Sequence, residues 1–185
     1  KLSNEFSENF DSFNLGAEPD GWIFVKNSGS VSIEKDPDFS KNKALYITTD
    51  SSGYTQAKKS LTLPEKYEKV TFQYDFYLEK GEPWCRWYVS LGNIAQDTYF
   101  DGKNRPGGKM DLYNRTGEGG QSGDAIKSCD FEKWYTIKVE YIPDGKTNTK
   151  VLVYIDDTLV KESSIYYNKH KDTEPLTKIE SVAFT

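Results

Sequence analysis

Arg86, Arg105 and Arg115 are the only arginines among 24 basic residues, and two of them fall inside short runs in which every second residue is apolar. A guanidinium is a rigid planar fork that grips carboxylates and paired hydroxyls, whereas lysine mainly solvates a surface. Where these few arginines lie therefore matters. In 84–91 the odd positions Cys85, Trp87, Val89 and Leu91 form the apolar set, leaving Trp84, Arg86, Tyr88 and Ser90 on the other side. In 109–115, Met110 and Leu112 point inward while Asp111, Tyr113 and Arg115 point outward. In 70–78, Val70, Phe72, Tyr74, Phe76 and Leu78 make a core face, with Gln73, Asp75 and Tyr77 opposite. If these three runs share one sheet, its open face carries Asp75, Tyr77, Trp84, Arg86, Tyr88, Asp111, Tyr113 and Arg115. Aromatic rings stack on the C–H faces of sugars, and planar charged groups hold hydroxyls and carboxylates, so the set suits a polysaccharide or oligosaccharide. The competing reading is structural: Arg86–Asp75 and Arg115–Asp111 as cross-strand ion pairs, with loops covering the tyrosines.

A β fold must position these residues. No window of helical length repeats apolar residues at every third or fourth position, and short period-two runs recur between Gly, Pro, Asn, Asp and Ser. Strands are predicted at 22–26, 31–35, 44–49, 55–61, 70–78, 84–91, 97–100, 109–115, 134–142, 150–155, 158–162 and 181–185. A dozen short strands without βαβ spacing imply an all-β, two-sheet antiparallel sandwich of the jelly-roll kind. Pro143-Asp144-Gly145-Lys146 and Asp156-Asp157 read as hairpin turns. The strand at 134–142 looks ordinary, burying Tyr135, Ile137, Val139 and Tyr141 and exposing Thr136, Lys138 and Glu140. The Gly-rich segments Asp101–Lys109 and Thr116–Asp124 border the charged face in sequence and are expected to rim it. A chain of 185 residues buries about 70% of its unfolded surface, so 1–185 is expected to be one domain. A net charge of −5 has the wrong sign for nucleic acid, whose affinity rests on phosphate neutralisation. The longest apolar run, Val151–Ile155, is too short to cross a bilayer. Without a basic, apolar leader at Lys1 the chain reads as a mature segment, and a secreted location is expected.

Several segments resemble a known superfamily. The opening Glu8-Asn9-Phe10-Asp11-Ser12-Phe13-Asn14-Leu15-Gly16 with Pro19-Asp20-Gly21-Trp22, the central Val70-Thr71-Phe72-Gln73-Tyr74-Asp75-Phe76, and the late Trp134-Tyr135-Thr136-Ile137-Lys138-Val139-Glu140-Tyr141 with Val153-Tyr154-Ile155-Asp156-Asp157 are similar to the concanavalin A-like lectin and glucanase superfamily, in its bacterial laminin-G-like branch. Within that branch the chain most resembles the family 66 carbohydrate-binding module. The resemblance implies a jelly roll and a non-catalytic module that brings a secreted bacterial enzyme to pectin or fructan. The implied partner is a catalytic module in the same polypeptide, with the chain itself a monomer. It also implies a structural calcium near the first and last strands, involving Glu8 or Asp11. Where the family commonly has Asp-Gly, this chain has Asp156-Asp157.

Catalytic patterns are weaker. The two-carboxylate strand Glu-x-Asp-x-x-Glu of the superfamily's glucanases does not occur, and the single histidine, His170, lies in a polar stretch. No catalytic residue is assigned; a lyase or hydrolase on the same face and a laminin-G-like adhesion domain are the alternatives. The arginines favour an acidic glycan such as pectin. Cys85 and Cys129 allow two readings: a disulfide closing a loop of about 44 residues, worth roughly 4 kcal/mol, or two buried free thiols.

Overall fold

In the computed structural model the chain is all-β, with antiparallel pairing throughout the described ladders and no helix among the described residues: 5–50, 53–61, 68–80, 86–91, 96–101, 109–116, 124–143, 148–166 and 181–184. The strands are β1 (Ile23–Lys26), β2 (Gly29–Lys35), β3 (Lys43–Thr49), β4 (Thr55–Ser60), β5 (Val70–Tyr77), β6 (Arg86–Leu91), β7 (Gln96–Asp101), β8 (Lys109–Thr116), β9 (Asp124–Asp130), β10 (Trp134–Pro143), β11 (Asn148–Ile155), β12 (Thr158–Tyr166) and β13 (Ser181–Phe184). This is the antiparallel β-sandwich of jelly-roll kind that the strand spacing implied. Every expected strand is present, and β9 is additional. It escaped the period-two reading because its apolar residues Ile126 and Cys129 stand three apart. A bulge explains the spacing: Leu112 pairs with Lys127 but Tyr113 with Ala125, leaving Ile126 as the extra residue.

The strands group into two compact units, Lys1–Leu63 with Glu180–Thr185, and Pro64–Ile179. In the first, β4 is flanked by β1 and β13, and β2 and β3 form a separate hairpin. Trp22, Val31 and Ala57 centre its core, packed by Phe10, Phe24, Leu45, Ile47 and Phe184. Gly21, at φ 75°, turns the chain so that Trp22 enters that core, where the Phe10 and Phe184 ring centroids lie 5.7 and 6.2 Å away. Gly29 is required for a different reason: a Cβ there would sit 1.8 Å from the Thr48 carbonyl oxygen.

In the second unit β5, β10, β11 and β12 form one sheet, in the order β12-β11-β10-β5, and β6, β7, β8 and β9 lie side by side in another. On β10 the expected alternation holds, with Tyr135, Ile137, Val139 and Tyr141 all buried. Thr149, Val151, Val153 and Ile155 bury the matching side of β11. Each aliphatic side chain removed from water in this way contributes about 1.5–3 kcal/mol. β12 packs against β8 and β9. Asp156 and Asp157 close the β11–β12 hairpin with φ of 47° and 61°, the two successive left-handed residues of a tight hairpin turn. The Asp156 carboxylate accepts a 3.0 Å bond from the Thr136 amide, tying the turn to β10. The turn around Asp144-Gly145 lies outside the described residues, although β10 and β11 pair antiparallel up to Pro143 and Thr149.

Candidate functional site

The register of β6, β7 and β8 gathers much of the expected site, and β7, between them, adds residues the sequence reading did not assign. Arg86 stands opposite Asp101, which stands opposite Asp111. Two residues along the strands, Tyr88, Tyr99 and Tyr113 form a second row. Two further, Ser90, Asp97 and Arg115 form a third. Neighbouring strands are about 4.8 Å apart and successive rows about 7 Å apart, so the three rows make a patch about 10 Å across the strands. Residues paired across a ladder share one side of the sheet. β9 identifies the side: Cys129, opposite Met110, is fully buried, whereas Ser128, opposite Asp111, and Ala125, opposite Tyr113, are exposed. By register, the Arg and Tyr rows share the side of the sheet on which Ser128 and Ala125 are exposed. Asp97, Tyr99 and Asp101 were legible as alternate positions opposite the apolar Phe100.

Three expectations need correction. Asp75 and Tyr77 do not share a sheet with Arg86 and Tyr88, because β5 pairs with β10. Their side of β5 was read correctly, but alternation does not say which sheet a strand joins. Asp75 accepts a 2.6 Å bond from the Thr136 hydroxyl, and the Tyr77 ring lies 5.5 Å from that of Trp134, tilted by 53°. Second, the alternative ion pairs Arg86–Asp75 and Arg115–Asp111 are not in register; the residues opposite the two arginines are Asp101 and Asp97. Third, Asp111 is not on open surface: it is 8% exposed. It has interacting partners, as a carboxylate withdrawn from water requires. Trp84, Cys85, His170 and most of the two Gly-rich segments lie outside the described residues.

The outer side of the β5–β10–β11–β12 sheet is an ordinary solvated surface. Lys69 pairs with Glu140 at 3.0 Å, Lys150 with Glu162 at 2.8 Å and Lys138 with Asp157 at 3.5 Å. Lys138 also sits 4.4 Å above the Tyr154 ring.

At Glu8 and Asp11, the residues to which the resemblance assigned a calcium, some of the oxygens already have partners. Glu8 Oε1 already accepts the Phe10 amide at 2.9 Å. The ammonium of Lys43 donates to the backbone carbonyls of Asp11 at 2.9 Å and Phe13 at 2.5 Å. Oxygen atoms of the kind calcium takes are thus engaged by a side-chain cation, and among the described residues no group of His, Cys, Asp or Glu assembles a metal site. Among the described residues Cys129 is a free thiol. Burial pushes the thiol up from its ordinary 9.0 to about 11; Lys127 pulls it down, and Asp156, Asp130 and Asp111 add to the rise.

No family model and no curated protein matches the sequence. Among solved structures the chain is similar to the carbohydrate esterase vb_24B_21 from Shiga toxin-encoding bacteriophage phi24B, at 8% identity over 89% of this chain and 81% of that one, with a TM-score of 0.61. Lower-scoring likenesses are to the Emp46p carbohydrate recognition domain in its potassium-bound form (10% identity, 98% and 86% covered, TM-score 0.45) and to the marine PL-14 alginate lyase from Aplysia kurodai (14% identity, 84% of each chain, TM-score 0.44). Those two scores decide nothing here. The likeness to the phage protein shows a shared fold.

Proposed function

We propose that this chain is a non-catalytic carbohydrate-binding domain whose ligand lies on the outer side of β6, β7 and β8. The observation that supports this reading is the register that aligns Tyr88, Tyr99 and Tyr113 in one row between two rows bearing Arg86 and Arg115. Tyrosine rings offer apolar faces to the C–H surfaces of sugars, and the flanking guanidinium and carboxylate groups offer fixed donors and acceptors to hydroxyls. Nothing in the rows is a histidine, and the arginines and tyrosines act as contacts rather than as proton carriers. The fold is shared with a phage protein that is a carbohydrate esterase, which supports sugar as the ligand class by analogy of fold alone. The reading extends to a module like the family 66 carbohydrate-binding modules that the sequence resembles: secreted, monomeric, and joined to a polysaccharide-degrading catalytic module that it anchors on polymer.

Affinity electrophoresis through gels containing pectin, homogalacturonan, levan, xylan or glucan tests the proposal. Retardation of the wild type by at least one polymer, lost in Arg86→Ala, is the expected result. Free passage through every gel would overturn it. Shortening of a polymer that ceases in Arg86→Ala and Tyr88→Phe would instead make the same face an active site.

A further inference from the structure

We infer that the ligand of this face is a neutral polysaccharide whose chain crosses the strands along Tyr88, Tyr99 and Tyr113, an inference that rests on the carbohydrate-binding reading above. The ladder decides the charge. Each basic position on this side of β6, β7 and β8 stands directly opposite an acidic one: Arg86 opposite Asp101, Arg115 opposite Asp97, and Lys109 opposite Asp130. Asp111 continues the first of these rows. Three cationic positions against three anionic ones leave the open patch neutral by register, Asp111 being buried. Read alone, the arginines favour an acidic glycan; matched strand to strand at about 4.8 Å, opposite charges compensate one another. A uronate polymer would bring further carboxylates to a surface with no surplus of cation, and like charges across an interface oppose binding. A neutral sugar has the complementary needs, because each hydroxyl both donates and accepts: guanidinium groups only donate and carboxylates only accept, and here they alternate.

The geometry points the chain across the strands. The tyrosine positions follow one another at the strand spacing, and the charged rows lie about 7 Å to either side, where they address hydroxyls standing out from the edges of a chain seated on the rings. Three rings in line support an internal stretch of polymer rather than a chain end. Tyr99 is the central position of the row, with a neighbour on each side.

Gel retardation by neutral xylan, glucan and levan and by homogalacturonan, at low and high salt, tests the inference. The wild type is expected to be held by a neutral polymer with little salt dependence. Tyr99→Ala is expected to weaken that retention about three- to tenfold, the loss of one stacking contact. Tyr99→Phe, which keeps the ring, is expected to stay near wild type. The double substitution Asp97→Asn with Asp101→Asn moves the patch from 0 to +2 and is expected to gain salt-sensitive retention on homogalacturonan. Stronger wild-type retention on homogalacturonan than on any neutral polymer would overturn the inference and leave the carbohydrate-binding reading standing. No gain in a double variant that melts like the wild type would also overturn it. Retention on no polymer would overturn both.

Discussion

Replacing Cys129 by Ala gives a stability experiment whose size and sign follow from the structure. The thiol is fully buried, and burial raises it from 9.0 to about 11. Below pH 9 it is protonated in the folded and unfolded chain alike and adds no pH dependence. Between pH 9 and about 11 the unfolded chain has released the proton and the folded chain has not, so the unfolded state gains and stability falls as pH rises. At 1.36 kcal/mol per pH unit, the interval from 9.0 to about 11 amounts to about 2.7 kcal/mol, and the loss levels off above it. Lysines and tyrosines titrate in the same range, so the informative quantity is the difference between wild type and Cys129→Ala, measured from urea midpoints at steps from pH 8 to 11. At pH 8 the variant is expected to be less stable by about 1 kcal/mol, for the small cavity it leaves. Because wild type alone loses the thiol's share, that gap is expected to close and then reverse as pH rises. Parallel curves would refute the reasoning. They are also what a Cys85–Cys129 disulfide would give, since a bridged sulfur has no proton to lose, and reductant would then lower the wild-type midpoint.

Asp157→Gly is expected to stabilise the chain by about 0.5 kcal/mol, because glycine accepts the left-handed backbone at Asp157 while only an exposed 3.5 Å contact with Lys138 is given up. Asp156→Gly, which also removes the carboxylate bonded to the Thr136 amide, is expected to destabilise by about 1 kcal/mol; urea midpoints separate the two. Thermal melts are expected to be the same with calcium or chelator, and Lys43→Met is expected to cost about 1–3 kcal/mol by leaving the Asp11 and Phe13 carbonyls without their cation; a calcium-induced rise in the wild-type melting temperature would contradict the fit of Lys43 to that position. Asp75→Ala is expected to leave glycan retention unchanged, because Asp75 lies on the other sheet beside Thr136.

Alternation in the sequence was enough to place individual side chains in or out. On β10 and β5 the inward and outward sets fall as the period-two pattern assigns them, because a strand covered on one side must bury every second residue. Sheet membership was not legible. The order of strands depends on long-range pairing, and nothing within 70–78 distinguishes β10 from β6 as its neighbour, so Asp75 and Tyr77 were grouped with arginines from which the fold separates them. β9 was hidden by a bulge that puts Ile126 and Cys129 out of phase. Asp97, Tyr99 and Asp101 were missed for a different reason: the strand itself was legible, but its significance lies in the partners it meets, Arg86 and Tyr88 on one side and Tyr113 and Arg115 on the other.

The location of the binding face is tested most directly by amide chemical-shift mapping during titration with an oligosaccharide of whichever polymer retards the protein. Perturbations confined to β6, β7 and the β8 positions 113–115, largest at Tyr88, Tyr99 and Tyr113, are the expected result. Perturbations centred on β5 and β10, around Tyr77 and Trp134, would contradict it.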